Sequence, residues 1–489
     1  MTTENLSLLI PDFSVIILAF LVLLADLFSP KRNDLMLGIL SVGGLILVSL
    51  YIVTIGFNNT GYLYQNTLVV DQYSTSLKLF FVFLGIVAIF SSKNYLSLNL
   101  KNPGEFYSII LFTISGIMLL LSSNDLLTGF ICLELISFGL YVLVGFNRFN
   151  PKSNESSLKY ILLGALSSAI LIYGISYIYG FIGSTKFDAI QSFLTNTEQE
   201  FNINHAIGLG LLIVGFAFKI AAVPFHMWAP DTYEGAPLPI TAYISIVSKL
   251  AIFSFVIRIV ISTGLPSVEF WHPIIISISI MSMLLGNLMA TVQKDLKRLF
   301  AYSSIGQTGY LLAGVSLIYT VDGLSGFVLS AVVFHMVSYA VSSYTAFYSL
   351  IIINNNIKST KIADFAGISS NSPLFAMIFT CSMFSLAGLP IFSGFISKFY
   401  LFSSFAQQGF IWLAALAVIT SLISLYYYLL VIRKIYTPNT KNTDQHFYVS
   451  RSSFGMLCIL FLFVILLGIF PSFIVDFFQS TQFAPGHIL

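Results

Sequence analysis

LGLLIVGFAFKIAAVPF, residues 209–225, is an apolar run with a single charge, Lys219, and a proline five residues further on. A run of this kind is a membrane helix, and a charged side chain near mid-bilayer costs roughly 2.5–3.5 kcal/mol on insertion scales. The pattern recurs along the chain. ICLELISFGLYVLVGF, residues 131–146, carries Glu134, and Lys159, Lys249 and Lys398 lie within, or just inside the end of, other apolar runs. Ionisable groups at that depth read as an ion or proton path, with structural ion pairing as the alternative. Backbone polar groups cannot go unpaired in lipid and the alternation of a barrel is absent, so the runs are helices. The fold class is an all-α polytopic membrane protein.

Composition agrees: of 489 residues 57% are hydrophobic and 9% charged, with mean hydropathy +0.91, against about 25% charged in a soluble domain. We read about fourteen transmembrane helices, each close to the ~20 residues a bilayer requires. They fall near 10–28, 36–56, 74–92, 106–122, 126–146, 158–181, 205–223, 238–263, 273–291, 299–319, 324–352, 372–402, 409–433 and 454–477. If they alternate, the odd-numbered connections receive Lys31, Arg32, Lys93, Lys101, Arg148, Lys152, Lys294, Lys297, Arg298, Lys358, Lys361, Arg433, Lys434, Lys441 and Arg451. The even-numbered connections and the termini receive Lys186 together with Glu4, Asp71, Asp125, Glu198, Glu200, Glu269 and Asp322. The positive-inside rule turns the odd side toward the cytoplasm or matrix. The first apolar run lacks a basic leader and a small-residue cleavage site, so it reads as a mature helix. A net charge of +2 spread over short loops gives no nucleic-acid surface.

Cys132, Cys381 and Cys458 have no C-x-x-C spacing, and the G-L-G at 208–210 sits inside an apolar helix. Neither an iron–sulfur cluster, a metal site nor a nucleotide site is expected from such spacing. His226 and His335 lie in or beside spans and are secondary relay candidates, or hydrogen-bonded interior residues.

Two segments are interrupted beside a lysine. FKIAAVPFHMWAPDTYEGAPLP (218–239) sets Lys219 before Pro224; SLAGLPIFSGFISKFY (385–400) sets Pro390 and Gly394 before Lys398. Proline removes a helix hydrogen bond, and freed backbone groups need partners in a hydrated cavity. Paired interruptions in two halves point to inverted five-helix repeats, spans 4–8 and 9–13, with a midplane site. We therefore expect one transmembrane domain over 1–489: three N-terminal helices in 1–100, a first repeat in 101–265, an inverted second repeat in 270–435, and a C-terminal helix in 450–489. A buried lysine deprotonates more readily and a nearby carboxylate opposes this. A relay Glu134–Lys159–Lys219–Lys249, then Lys398, is the expectation.

SSNDLLTGFICLELISFGLYVLVGF (122–146), SSLKYILLGALSSAILIYG (156–174), FKIAAVPFHMWAPDTYEGAP (218–237), ISIVSKLAIF (244–253), QKDLKRLFAYSSIGQTGYLLAG (293–314) and GLPIFSGFISKFYLF (388–402) stand in that order. The set resembles the subunit-2 family of proton-pumping NADH:ubiquinone oxidoreductase, respiratory complex I, among its antiporter-like membrane subunits. The resemblance covers about residues 100–435 strongly. It implies that Glu134 is the essential fifth-helix glutamate, Lys159 the sixth-helix lysine, Lys219 and Lys398 the lysines of the broken seventh and twelfth helices, and Lys249 the connecting lysine of the eighth. It implies no cofactor in this chain, with NAD, FMN, iron–sulfur clusters and ubiquinone in partner subunits, and a hetero-oligomer with other membrane-arm subunits and lipids. FKIAAVPFHMWAPDTYEG and AYSSIG look closer to mitochondrial or alphaproteobacterial forms than to the plastoquinone version. The mitochondrial inner membrane is expected, with a bacterial plasma membrane as the alternative. A subunit of a multi-protein cation/proton antiporter and a purely structural tether are the competing functions.

Overall fold

The computed structural model describes residues 7–28, 34–99, 102–195, 203–264, 271–320, 323–438 and 447–481, almost all of them helical. Lys31, Arg32, Lys101, Lys441, Glu4, Glu198, Glu200, Glu269 and Asp322 lie outside the described residues. The first six long helices are α1 (Ile10–Phe28), α2 (Asp34–Thr54), α3 (Gln72–Asn99), α4 (Pro103–Ser122), α5 (Leu126–Val144) and α6 (Pro151–Ile182). A short amphipathic α7 (Phe187–Thr195) leads to the interrupted crossing, α8 (Ile203–Lys219) and α9 (Trp228–Gly235). Then come α10 (Leu238–Tyr243), a π-turn at Ile244–Ser248 and α11 (Lys249–Thr263), which together form one crossing. The second half holds α12 (Trp271–Ala290), α13 (Leu296–Ser316), α14 (Gly326–Ile357), the interrupted pair α15 (Pro373–Ala387) and α16 (Ser393–Gln407), α17 (Ile411–Tyr436) and α18 (Arg451–Ile469). A terminal short helix, α19 (Ser472–Gln479), follows.

Eleven of these crossings, counting α10 to α11 as one, are long and apolar enough to span a membrane. The other three expected are α8, α13 and the α15–α16 pair. Two of these are broken, and α13 is the least apolar because Ser303, Ser304, Gln307 and Thr308 are buried along it. Every residue of α11 is buried, as is most of α14, so these two helices form the centre. The outer helices α1, α2, α5, α6 and α17 expose rows of Leu, Ile and Phe, the surface that lipid or neighbouring chains cover.

Alternation of the crossings is written in the loops. On the odd face, the Asn94 amide donates to Ser450 and Ser453 (3.3 and 2.8 Å). Asn356 exchanges two hydrogen bonds with the Tyr448 backbone (3.0 and 2.9 Å). Leu296 N–H donates to the Thr360 carbonyl and Ile362 N–H to that of Lys294. Lys297 Nζ donates to the Glu234 carbonyl at 2.7 Å, and Lys152 pairs with Glu234 at 3.0 Å. Connections 3, 5, 7, 9, 11 and 13 are thereby joined on one side. On the even face, Asn124 bonds the Thr67 and Asn66 carbonyls, Leu126 N–H that of Thr185, and Lys186 Nζ that of Gln65. Phe57 meets Phe477 there, and His272 meets Phe410.

Candidate functional site

The interrupted crossings end their first halves in the same way. After Lys219, Ala222 N–H donates to the Ala217 carbonyl (2.8 Å) and Ala221 N–H to that of Phe218 (2.9 Å), with Ala221 at φ +55°. After α15, Leu389 N–H donates to Phe384 and Gly388 N–H to Ser385, both at 3.0 Å, with Gly388 at φ +88°. Both are Schellman caps, in which a left-handed residue closes the helix. Pro224 lies in the first break, and Pro390 in the second. Gly394 follows in the first turn of α16. Its N–H donates to Ser385 Oγ at 3.0 Å, and any side chain there would strike the Ser385 carbonyl.

The carbonyls freed by each break find partners, as a helix end inside a bundle requires. In the first, Phe218 O accepts from Trp228 Nε1 (2.9 Å) and Ile220 O from Thr308 Oγ1 (3.2 Å). In the second, Leu386 O and Ala387 O both accept from Lys398 Nζ, at 2.9 and 3.0 Å.

Each embedded lysine is held differently. Lys219 Nζ donates to Glu134 Oε1 (2.9 Å), Ser137 Oγ (2.8 Å) and Ser168 Oγ (3.0 Å), so all three ammonium protons are used. Ser168 in turn donates to Glu134 at 2.6 Å. Lys249, directly after the π-turn, donates to Ser304 Oγ at 2.8 Å and lies 5.7 Å from the centre of the Tyr233 ring, within cation–π range. Lys398 rests on the negative, C-terminal end of α15 and on Ser421 Oγ at 3.0 Å. Among the described residues neither Lys249 nor Lys398 has a carboxylate partner.

Hydroxyls and an imidazole lie between these stations. Thr308 Oγ1 bonds both the Ile220 and Ser304 carbonyls, joining the first break to the Lys249 station. One turn along α13, Gln307 Oε1 meets His335 Nε2 at 3.1 Å, and His335 Nδ1 meets Ser397 Oγ at 3.1 Å, the residue before Lys398. His335 is thus inside the chain of polar groups. His226 is not: it sits half-buried in the loop of the first break, its Nδ1 without a hydrogen-bond partner.

Lys159 stands apart. It is 44% exposed at the odd end of α6, paired with Glu155 (2.8 Å) and Asp231 (3.0 Å). Arg298 joins Asp231 (3.1 Å) and Glu234 (2.9 Å), and Lys152 completes a surface network. Asp231 and Glu234 lie in α9, at the odd face. Burial raises their carboxyls, but hydrogen bonds and charge from Lys159 and Arg298, and from Arg298 and Lys152, outweigh it and leave both below the usual carboxylate range.

Two buried ion pairs escaped the sequence reading. Arg258 grips Asp71 through both nitrogens (3.0 and 2.8 Å), each side chain no more than 3% exposed, and Arg258 covers the Tyr73 ring at 5.0 Å. Asp71 is therefore no solvated loop acid. Lys78 pairs with Asp12 at 2.8 Å, equally buried. Each lies one or two turns inside the even face, where a charge near a helix end looks like a loop residue in the sequence.

Residues 123–424 match the family described as NADH:quinone oxidoreductase/Mrp antiporter, TM, a stretch that includes every station above. The chain belongs to that family. Relatives include NADH-quinone oxidoreductase subunit N of Trichlorobacter lovleyi, 38% identical with 98% of this chain and 97% of that protein covered. The protein of the same name from Pelagibacter ubique is 36% identical, with coverage of 97% and 98%. Among solved structures, a chain of respiratory complex I from Thermus thermophilus superposes with TM-score 0.80 at 25% identity, covering 97% of this chain and all of that one. A chain of the Mrp complex from Dietzia shares the fold, with TM-score 0.84 at 19% identity and coverage of 98% and 97%.

Proposed function

We propose that this family member is the antiporter-like membrane-arm subunit of a proton-pumping NADH:quinone oxidoreductase, of the kind its relatives name subunit N and our sequence reading names subunit 2. It moves protons while NADH oxidation and quinone reduction take place in partner subunits. The carrying observation is the Lys219 ammonium. It is spent entirely on Glu134 and two hydroxyls at a capped helix break, and polar groups continue from it to Lys249, His335 and Lys398.

The three lysines differ in what holds their charge: a carboxylate with two hydroxyls for Lys219, a hydroxyl with a ring face for Lys249, and for Lys398 a helix C-terminus together with a hydroxyl and the Tyr310 ring at 5.8 Å. A proton has a graded series of resting places, and loosening Glu134 from Lys219 lowers the affinity of the first. At 2.9 Å and an effective dielectric of ~20, that pair is worth about 6 kcal/mol of Coulomb energy to the ammonium. In this reading 101–265 and 270–435 are two repeats, each ending a half-helix in the same cap, and no redox group resides in the chain. NAD, FMN, iron–sulfur clusters and ubiquinone belong to the partners. The bacterial sources of the named relatives support a bacterial plasma membrane at least as well as the mitochondrial inner membrane. The basic odd face is set toward the interior.

The test is the proton-to-electron ratio of reconstituted complex carrying Glu134→Gln or Lys219→Ala. The ratio is expected to fall while NADH oxidation by artificial acceptors persists; an unchanged ratio in both variants overturns the reading. The alternative within the family, a cation/proton antiporter subunit, requires sodium–proton exchange in vesicles without respiratory substrate, which we expect to be absent.

A further inference from the structure

Two stripes of residues face each other where α5 and α6 pack antiparallel. Glu134, Ser137 and Tyr141 recur on one side of α5 at helical spacing, and Tyr160, Gly164 and Ser168 on one side of α6. At the inner end Ser168 donates to Glu134. One level outward, Tyr141 lies over Gly164: a Cβ at Gly164 would strike the Tyr141 hydroxyl and stand 2.8 Å from its Cζ. Further out the Tyr141 ring meets Tyr160 edge to face at 4.8 Å, Tyr160 stacks on Trp228 at 4.8 Å, and Trp228 on Phe218 at 5.6 Å.

Immediately beyond this aromatic layer is a charged recess of about 120 Å³, lined by Lys152, Glu155, Ser156, Lys159, Asp231 and Glu234 and open at the odd face. Lys159 is the chain neighbour of Tyr160, and Asp231 lies less than one turn beyond Trp228, so the recess and the layer are contiguous. The layer separates the recess from the Glu134–Lys219 pair. Its Trp228 N–H is already committed to the Phe218 carbonyl. The Tyr141 hydroxyl, by contrast, lies against Gly164, one turn of α6 from Ser168, and Tyr141 stands one turn of α5 from Ser137, which receives a proton of Lys219.

We propose that protons bound for the Glu134–Lys219 pair arrive in the recess at Lys159 and Asp231 and cross the aromatic layer at the Tyr141 hydroxyl, for which Gly164 leaves room. This rests on the proton-relay reading above and gives Lys159 a role outside the buried chain. In the step, a proton from a hydronium ion or from Lys159 binds a lone pair of the phenolic oxygen as the hydroxyl's own proton leaves toward Ser137 and the pair. One O–H bond forms, one breaks, and Tyr141 ends as neutral phenol. The ionisable groups facing Tyr141 are Glu134 on its own helix and Tyr160 from α6, with Lys219 of α8 held on Ser137 one turn away; Tyr141→Phe and Gly164→Ala leave all three in place. Tyr141 takes part in the transfer itself, and Gly164 is the positioning residue that leaves room for its hydroxyl.

The experiment uses intact complex in sealed proteoliposomes carrying Tyr141→Phe or Gly164→Ala, with Glu134→Gln in parallel. Tyr141→Phe keeps the ring and removes one oxygen, so assembly on a native gel should be normal. Proton pumping is expected to slow by roughly 10²-fold, the lower end of what a positioned proton-transfer group contributes. Its alkaline limb should move to lower pH and its solvent deuterium effect should grow. Gly164→Ala, which displaces the hydroxyl without deleting it, should change all three in the same direction. If Glu134→Gln stops pumping but Tyr141→Phe pumps with the wild-type rate and pH profile, the gate is refuted and the relay stands. If only Gly164→Ala is impaired, the stripe is packing and the gate is likewise refuted. If neither Glu134→Gln nor Tyr141→Phe affects pumping, the relay reading itself falls.

Discussion

Removing Arg258 should unfasten the three N-terminal helices from the core. Arg258 on α11 and Asp71 at the head of α3 share two hydrogen bonds of 3.0 and 2.8 Å, with 3% and 2% of their side chains exposed. In Arg258→Met the Asp71 carboxylate keeps the N–H of Ser74, at 2.8 Å, and loses its counter-charge. An uncompensated buried charge of this kind costs about 3–5 kcal/mol, or some two to nearly four orders of magnitude in the folded-to-unfolded ratio. The loss is one of desolvation rather than packing, because methionine fills most of the arginine's volume. The double variant Asp71→Leu/Arg258→Met removes both charges and should return to near wild-type stability, since replacing a buried pair by apolar residues is often neutral. The assay is heat dissociation of the purified complex, followed by native gel and by the fraction of this chain retained. The expected order of midpoints is the single variant far below the wild type and the double variant close to it. A single variant as stable as the wild type, or a double variant no better than the single, would refute the argument.

Three further outcomes are expected. Ala221→Gly should leave pumping unchanged and raise stability by about 1 kcal/mol, because a left-handed φ of +55° suits glycine; a lower dissociation midpoint would contradict this. The carboxyls of Asp231 and Glu234 are held below their ordinary values of 3.8 and 4.5. Their contribution to stability is therefore present at neutral pH and lost as pH falls through the lowered values. Stability–pH curves should show a shallower acid limb in Asp231→Asn/Glu234→Gln, and the difference from wild type should shrink in high salt. His335→Phe should keep the complex assembled yet lower the proton-to-electron ratio, since it breaks the link from Gln307 to Ser397; reconstituted vesicles measure it directly.

Apolar runs of about 20 residues made the crossings legible, and proline beside lysine marked both breaks, because the bilayer imposes these patterns on every residue of a span. Glu134 and Lys219 were legible for the same reason: a charge in mid-run has no bland excuse. The connectors were not. Ser137, Ser168, Ser304, Thr308 and Ser397 vanish in an apolar average, since a hydroxyl can satisfy itself on its own helix and carries little hydropathy signal. Asp12, Lys78, Asp71 and Arg258 were hidden by position, being near enough to span ends to pass for boundary residues. Lys159 reads in the sequence as embedded, whereas its side chain is 44% exposed. Its run is apolar, but a place about two turns from the start of α6 brings it to the odd-face network with Asp231.

The loops that tie connection to connection on both faces bear on what kind of machine this is. A transporter that opens alternately to the two sides must let one bundle rock against another, and its rims must part. Here the rims are laced: Asn94 to Ser450, Asn356 to Tyr448, and Glu234 to Lys152 and Lys297 on one side, Asn124 to Thr67 and Lys186 to Gln65 on the other. Such a frame behaves as an insulator with a wire threaded through it. Rocking one bundle against another would first have to break these bonds, so the relay proposed above is expected to advance charge by rotamer changes and reoriented hydroxyls within a standing frame.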